Sequence, residues 1–95
     1  MAGGKVKQVH LIVSGRVQGV LFRNNTKKQA DYLKLTGWVR NTEGGEVEIL
    51  AQGEKIDLEK LISWCEKGPL FAKVEKVEVE WQKLSDFFQS FEIVY

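Results

Sequence analysis

The spacing of apolar residues switches between two repeats along this chain, and that switching constrains the fold more than any other feature. A period of two marks a strand and a period near 3.6 marks a helix. Residues 6–14 (VKQVHLIVS) are rich in β-branched side chains, with Val9, Leu11 and Val13 on one face, which predicts a strand. From Phe22 the period lengthens: Phe22, Thr26, Ala30 and Leu33 fall at spacings of four, four and three. This predicts an amphipathic helix that ends near Leu35, with Gly37 as its stop. Trp38-Val39-Arg40-Asn41 reads as a short strand, Thr42-Glu43-Gly44-Gly45 as a turn, and Glu46 to Gln52 as the returning arm of a hairpin. A second helical stripe follows at Leu58, Leu61, Ile62 and Cys65, with Asp57 as the expected N-cap and Gly68-Pro69 closing it. Val77, Val79 and Trp81 then alternate with Glu78, Glu80 and Gln82, a strand with one wet face. Phe91, Ile93 and Tyr95 share one side of a last short strand.

The order β-α-β-β-α-β plus a short extra strand predicts an α+β, ferredoxin-like sandwich. It has an antiparallel sheet of four main strands and a short fifth, with two helices on one face. Right-handed crossovers in both β-α-β halves place the first and third strand segments at the centre. A chain of 95 residues holds one domain, expected over residues 6–95 behind a flexible extension over residues 1–5.

Composition narrows the function classes. The longest apolar runs, such as Leu11-Ile12-Val13, fall far short of the ~20 residues of a membrane span. The start Met1-Ala2-Gly3-Gly4-Lys5 has no apolar stretch of a signal peptide. One cysteine, Cys65, excludes an internal disulfide and a cysteine-cage metal site. These features lead us to expect a reducing, cytoplasmic home, no membrane association and a monomer. A formal charge of +1, from 14 basic and 13 acidic residues, lacks the basic bias of a nucleic-acid binder. Lys27-Lys28, the densest basic cluster, is too small to be a patch.

Residues 15–23 (GRVQGVLFR) do something that a core does not require. Gly15 and Gly19 bracket a loop whose backbone can turn sharply and aim successive N–H groups into one concavity, a nest for an anion. The loop runs into a helix N-terminus, which also favours negative charge. Arg23, in the first helical turn, opposes the helix dipole by ~0.3–1 kcal/mol unless an anion completes the site. The spacing matches neither a nucleotide P-loop nor a GxGxxG dinucleotide fingerprint, so the anion expected here is a small phosphate group. A bland reading stands beside this one: glycine-containing β–α loops are common, and a first-turn arginine often points to water.

The run Ser14 to Arg23 (SGRVQGVLFR), with Gly37-Trp38-Val39-Arg40-Asn41, Gly45-Glu46-Val47-Glu48 and Gly68-Pro69, resembles the acylphosphatase family from about residue 6 to residue 95. The resemblance implies a ferredoxin-like sandwich and metal-free hydrolysis of acyl phosphates to carboxylate and phosphate. It implies that Arg23 binds the phosphate and that Asn41 positions the attacking water. The expected catalytic residues are thus Arg23 and Asn41. The expected phosphate-binding set is Gly15, Arg16, Val17, Gln18, Gly19, Val20 and Arg23, with no metal and no cofactor. The partner expected is a small acyl phosphate and not a nucleic acid. Two positions depart from the family pattern: Lys34 replaces a frequent glycine, and Gly44 stands where Asp-Gly is often seen.

Elementary chemistry agrees with this implied reaction. A carboxylate leaving group needs no general acid, and phosphoryl transfer asks a protein chiefly to position groups and to stabilise charge. A forked guanidinium matches phosphate oxygens, and an asparagine amide can hold a water through its acceptor oxygen. No His, Cys or carboxylate lies inside either motif, which leaves the substrate's own phosphate as the candidate base.

Other residues are read as structural. Cys65 belongs to an apolar stripe, with Phe71 where a cysteine phosphatase needs arginine. His10 stands alone in the first strand and, without a partner, makes a poor ligand or base; Trp38, Trp64 and Trp81 are read as packing residues, and residues 73–83 as a solvated strand face. Arg16 and Arg40 flank the loop and the strand end, where they either steer an anion or simply face water. A rival function on the same fold is a non-catalytic, anion-sensing regulatory domain. A ferredoxin-like RNA-binding module is disfavoured by the absence of an aromatic-rich motif and of a basic face.

Overall fold

The computed structural model describes residues 5–95. Of the extension expected over residues 1–5, Met1 to Gly4 lie outside the described residues. The elements are β1 (Lys7–Arg16), α1 (Phe22–Tyr32), β2 (Thr36–Asn41), β3 (Val47–Gly53), α2 (Lys55–Lys67), β4 (Lys73–Gln82) and β5 (Phe91–Val94). They build one sheet in the order β4-β1-β3-β2-β5, with β1 and β3 at the centre as the crossover rule requires.

The register follows the hydrophobic pattern. Val9 opposes Ala51, Leu11 opposes Ile49 and Val13 opposes Val47 across the β1–β3 ladder, and all six are fully buried. A slip of one residue would turn this whole set to the other face. Phe22, Thr26 and Ala30 of α1 and Leu58, Leu61 and Cys65 of α2 close the core over that face. Those are the residues that the two helical stripes single out.

Several expectations need correction. The sheet is not wholly antiparallel, because β5 pairs parallel with β2. β4 and β3 both run against β1, so a chain leaving β4 returns in the direction of β1 and β2. Residues 83–90 carry it across four interstrand spacings, about 19 Å, which eight extended residues can span with a few ångströms to spare. Buried Gln52 pins this crossing, donating to the Asp86 carbonyl and accepting from the Phe88 amide.

Helix α1 ends at Tyr32, short of the expected Leu35, and Lys34 rather than Gly37 makes the turn that stops it. Lys34 is left-handed at φ 60°, and the Leu35 amide reaches back to the Ala30 carbonyl at 2.8 Å, a glycine-type helix ending made with lysine. Gly37 lies inside β2, where a Cβ would fall 1.9 Å from the Leu50 carbonyl oxygen. Glu54 holds the N-cap position of α2 without a side-chain cap bond, while Asp57, expected there, sits within the first turn and favours the dipole from there. Val79 and Trp81 face the helix side of the sheet but stay 41% and 43% exposed, because edge strand β4 is only partly covered there.

Candidate active site

The loop between β1 and α1 is shorter than its glycine brackets suggest. β1 continues through Gly15 and Arg16, which pair with Val74 and Lys73 across an irregularity at Ser14/Gly15. Gly15 adopts φ 123° because a Cβ there would lie 2.2 Å from the Lys73 carbonyl oxygen. Its glycine therefore serves the close approach of β4. The free loop is Val17 to Leu21.

Within that loop each residue has a distinct task. Val17 is buried and anchors the loop to the core. The Gln18 side chain donates to the Thr42 carbonyl at 2.9 Å and to the Glu46 carbonyl at 2.8 Å, clasping the loop to the β2–β3 turn. Gly19 turns at φ 76° with open space around it, so the dihedral itself calls for glycine. Val20 packs against the core. Leu21 occupies the N-cap of α1 at φ 64°, ψ 27° with no side-chain cap bond. The first turn of α1 also carries no acidic residue, so neither a capping side chain nor a carboxylate competes for its free amides.

Arg23 and Asn41 come from different elements and meet here. Both line one pocket of about 150 Å³, together with Val17, Gly19, Leu21, Phe22 and Asn24. Asn41 ends β2, and its Oδ1 atom is buried without any hydrogen-bond partner, the only such side-chain atom among the described residues. A buried acceptor left in that state costs about 1–3 kcal/mol, which a hydrogen-bonding ligand or water would recover. Among the described residues no carboxylate pairs with Arg23; its guanidinium instead lies 4.9 Å from the centre of the Tyr95 ring. Arg23, without a carboxylate partner among the described residues, and Asn41 therefore line one small volume at the start of α1. Larger hollows, about 400 Å³ beside Lys7 and Trp81 and about 630 Å³ beside Tyr32 and Asp57, lie away from both motifs.

Of the phosphate-binding set expected from the sequence, the pocket wall includes Val17, Gly19 and Arg23. Gly15, Arg16, Gln18 and Val20 are not part of that wall. Leu21 and Asn24 are, and sequence reasoning passed over both. Arg40 turns to the opposite face of the sheet, where its Nε donates to Glu48 at 2.7 Å while His10 Nε2 stands 2.6 Å from the other carboxylate oxygen. Burial pushes the Glu48 carboxyl up, but the bonds from His10 and Arg40 outweigh it and leave the group below its ordinary value. Cys65 is buried, which pushes its thiol far up and leaves it unreactive. Among the described residues no group of three or more His, Cys, Asp or Glu side chains is placed to hold a metal ion. No helix there is long and apolar enough to cross a membrane.

The acylphosphatase family model matches residues 9–93, which takes in the loop, Arg23, Asn41 and all or most of every strand. The chain belongs to the acylphosphatase family. An acylphosphatase of Pelotomaculum thermopropionicum is 46% identical over 88 residues, covering 93% of this chain and 96% of that one. Among solved structures, an acylphosphatase from Coxiella burnetii superposes with a TM-score of 0.91 at 38% identity, covering 99% of this chain and all of the other. One from Bacillus subtilis gives 0.91 at 40% identity over 96% of this chain. The family, the enzyme class and the ferredoxin-like α+β fold expected from the two motifs therefore hold.

Proposed function

We propose that this acylphosphatase-family chain hydrolyses acyl phosphates to a carboxylate and inorganic phosphate without a metal ion. In this reading Arg23 and the amides of the Val17–Leu21 loop and first α1 turn hold the phosphoryl group, and Asn41 Oδ1 holds the attacking water. The single observation that carries the proposal is the pairing, in one pocket of about 150 Å³, of an arginine without a carboxylate partner and a buried amide oxygen without a donor.

The chemistry balances with these groups alone. The water oxygen attacks phosphorus as the bond from phosphorus to the acyl oxygen breaks, and the bonding pair leaves with the carboxylate. The water's proton passes to a phosphoryl oxygen of the substrate, so an acyl phosphate dianion and water become a carboxylate and dihydrogen phosphate. Arg23 neutralises charge on the equatorial oxygens, each charge-assisted bond contributing about 1.5–3 kcal/mol. Gln18 acts through position: by tying the loop to Thr42 and Glu46 it fixes the distance between the phosphate cradle and Asn41. The lone buried Cys65 supports a reducing cytoplasm as the chain's home.

The test is hydrolysis of benzoyl phosphate by the purified protein in excess EDTA. Turnover that survives the chelator is the expected result. A folded protein that binds inorganic phosphate but releases no benzoate would instead be an anion-sensing domain on the same fold.

A further inference from the structure

Leu21 breaks two local rules at once. Its backbone is left-handed at φ 64°, a conformation that costs a branched L-residue about 1–2 kcal/mol and that glycine or asparagine adopts more cheaply. Its side chain is 67% exposed although it forms part of the pocket wall. The fold does not require leucine here, since the side chain makes no cap bond and stays outside the buried core. Strain of this kind persists where surrounding structure enforces it, and it concentrates at ligand clamps.

The size of the pocket says what such a residue is for. Cavities that engulf a whole drug-sized ligand run from about 300 to 1,000 Å³, whereas this one is about 150 Å³. It takes the phosphoryl end of a substrate and leaves the acyl end at the mouth. The exposed residues at that mouth are Gly19, Asn24 and Leu21. Gly19 offers no side chain and Asn24 a polar one, which leaves Leu21 as the one large apolar side chain among the exposed residues of the pocket wall; the Tyr95 ring, outside that wall, lies over Arg23. We infer that Leu21 is the acyl-contact residue of this site, and that it selects acyl phosphates whose acyl group is apolar and extended over those with a minimal one. The inference rests on the acyl phosphate reading above and adds the substrate class to it. An apolar acyl group covers leucine surface that otherwise faces water, so the contact appears in substrate binding.

The experiment compares benzoyl phosphate with acetyl phosphate in the wild-type protein and in Leu21→Ala and Leu21→Met, neither of which adds a capping side chain at this N-cap position, with inorganic phosphate as a competitive inhibitor throughout. In Leu21→Ala the ratio of kcat/KM for benzoyl over acetyl phosphate falls about tenfold. The loss sits in KM for benzoyl phosphate, while the phosphate inhibition constant stays within about twofold, as expected for a contact that the phosphoryl group does not make. Leu21→Met retains the wild-type ratio, because an unbranched apolar side chain covers the same surface. An unchanged ratio in Leu21→Ala, whatever the absolute rates, overturns the inference and reduces Leu21 to a loop-shaping residue. A wild-type protein that turns over neither substrate overturns the acyl phosphate reading itself, and the inference with it.

Discussion

Arg40 and Asn41 are neighbours on β2, yet they serve polar clusters on opposite sides of the sheet that are built in opposite ways. On the outer face, the Glu48 carboxylate receives Arg40 on one oxygen and contacts His10 through the other, so its bonding capacity is met within the protein. On the other side, Asn41 Oδ1 is buried with no donor and Arg23 has no carboxylate among the described residues. Polar groups that hold a fold together are saturated, because an unmet buried partner costs more than a made bond returns. Those of the pocket have no such partner among the described residues and are free to meet a ligand or water. The strained residues divide in the same way: Leu21 stands at the pocket, and Lys34 stands at a helix end remote from it.

Substitutions can break or sharpen this contrast. The largest effect belongs to Arg23→Ala, which removes the only side-chain cation of the pocket. Hydrolysis of benzoyl phosphate is expected to fall at least ~10³-fold and phosphate binding by calorimetry to vanish, while the melting temperature barely moves. A large loss of stability would place Arg23 with the saturated groups instead. Glu48→Gln inverts the pattern, leaving kcat unchanged and lowering stability by about 1 kcal/mol at neutral pH. The sign of its pH dependence follows from the lowered carboxyl: ionised Glu48 stabilises the fold above the ordinary carboxylate range, and that contribution is lost as pH falls through the folded-state value. Urea unfolding of both proteins across acid pH should therefore show their difference closing in acid. A gap that stayed constant with pH would remove the charge from the account. The smallest effect is that of Lys34→Gly, which should raise stability by roughly 0.5–1 kcal/mol in the same assay with activity unaltered. A loss of stability would show that the lysine side chain contributes more than its backbone strain costs.

Much of this architecture was legible in the sequence because it rests on periodicity. The stripes at Phe22, Thr26 and Ala30 and at Leu58, Leu61 and Cys65 are the buried faces of the two helices, and Val9, Leu11 and Val13 are the central strand of the core. Arg23 and Asn41 were legible through the two motifs and through the misfit of a cation at a helix start. What escaped depends on partners distant in the chain. Gln18 acts on carbonyls 24 and 28 residues away, which nothing in its neighbours signals. β1 runs on through Gly15 because a bulge brings the β4 backbone against it. The parallel pairing of β5 follows from where the 83–90 crossing ends, a tertiary outcome that local pattern does not encode. Left-handed Leu21 and Lys34 run against local preference, so the sequence pointed to no cap at the start of α1 and to Gly37 as its stop.

The central claim is that Asn41 is open because it holds the water, and a single comparison reaches it: benzoyl phosphate hydrolysis by Asn41→Ala, with phosphate affinity measured on the same preparation. The account predicts a rate lower by ~10²-fold or more with phosphate affinity unchanged, since the cradle and Arg23 are intact. Rate and phosphate affinity falling together, or a rate equal to wild type, would contradict it.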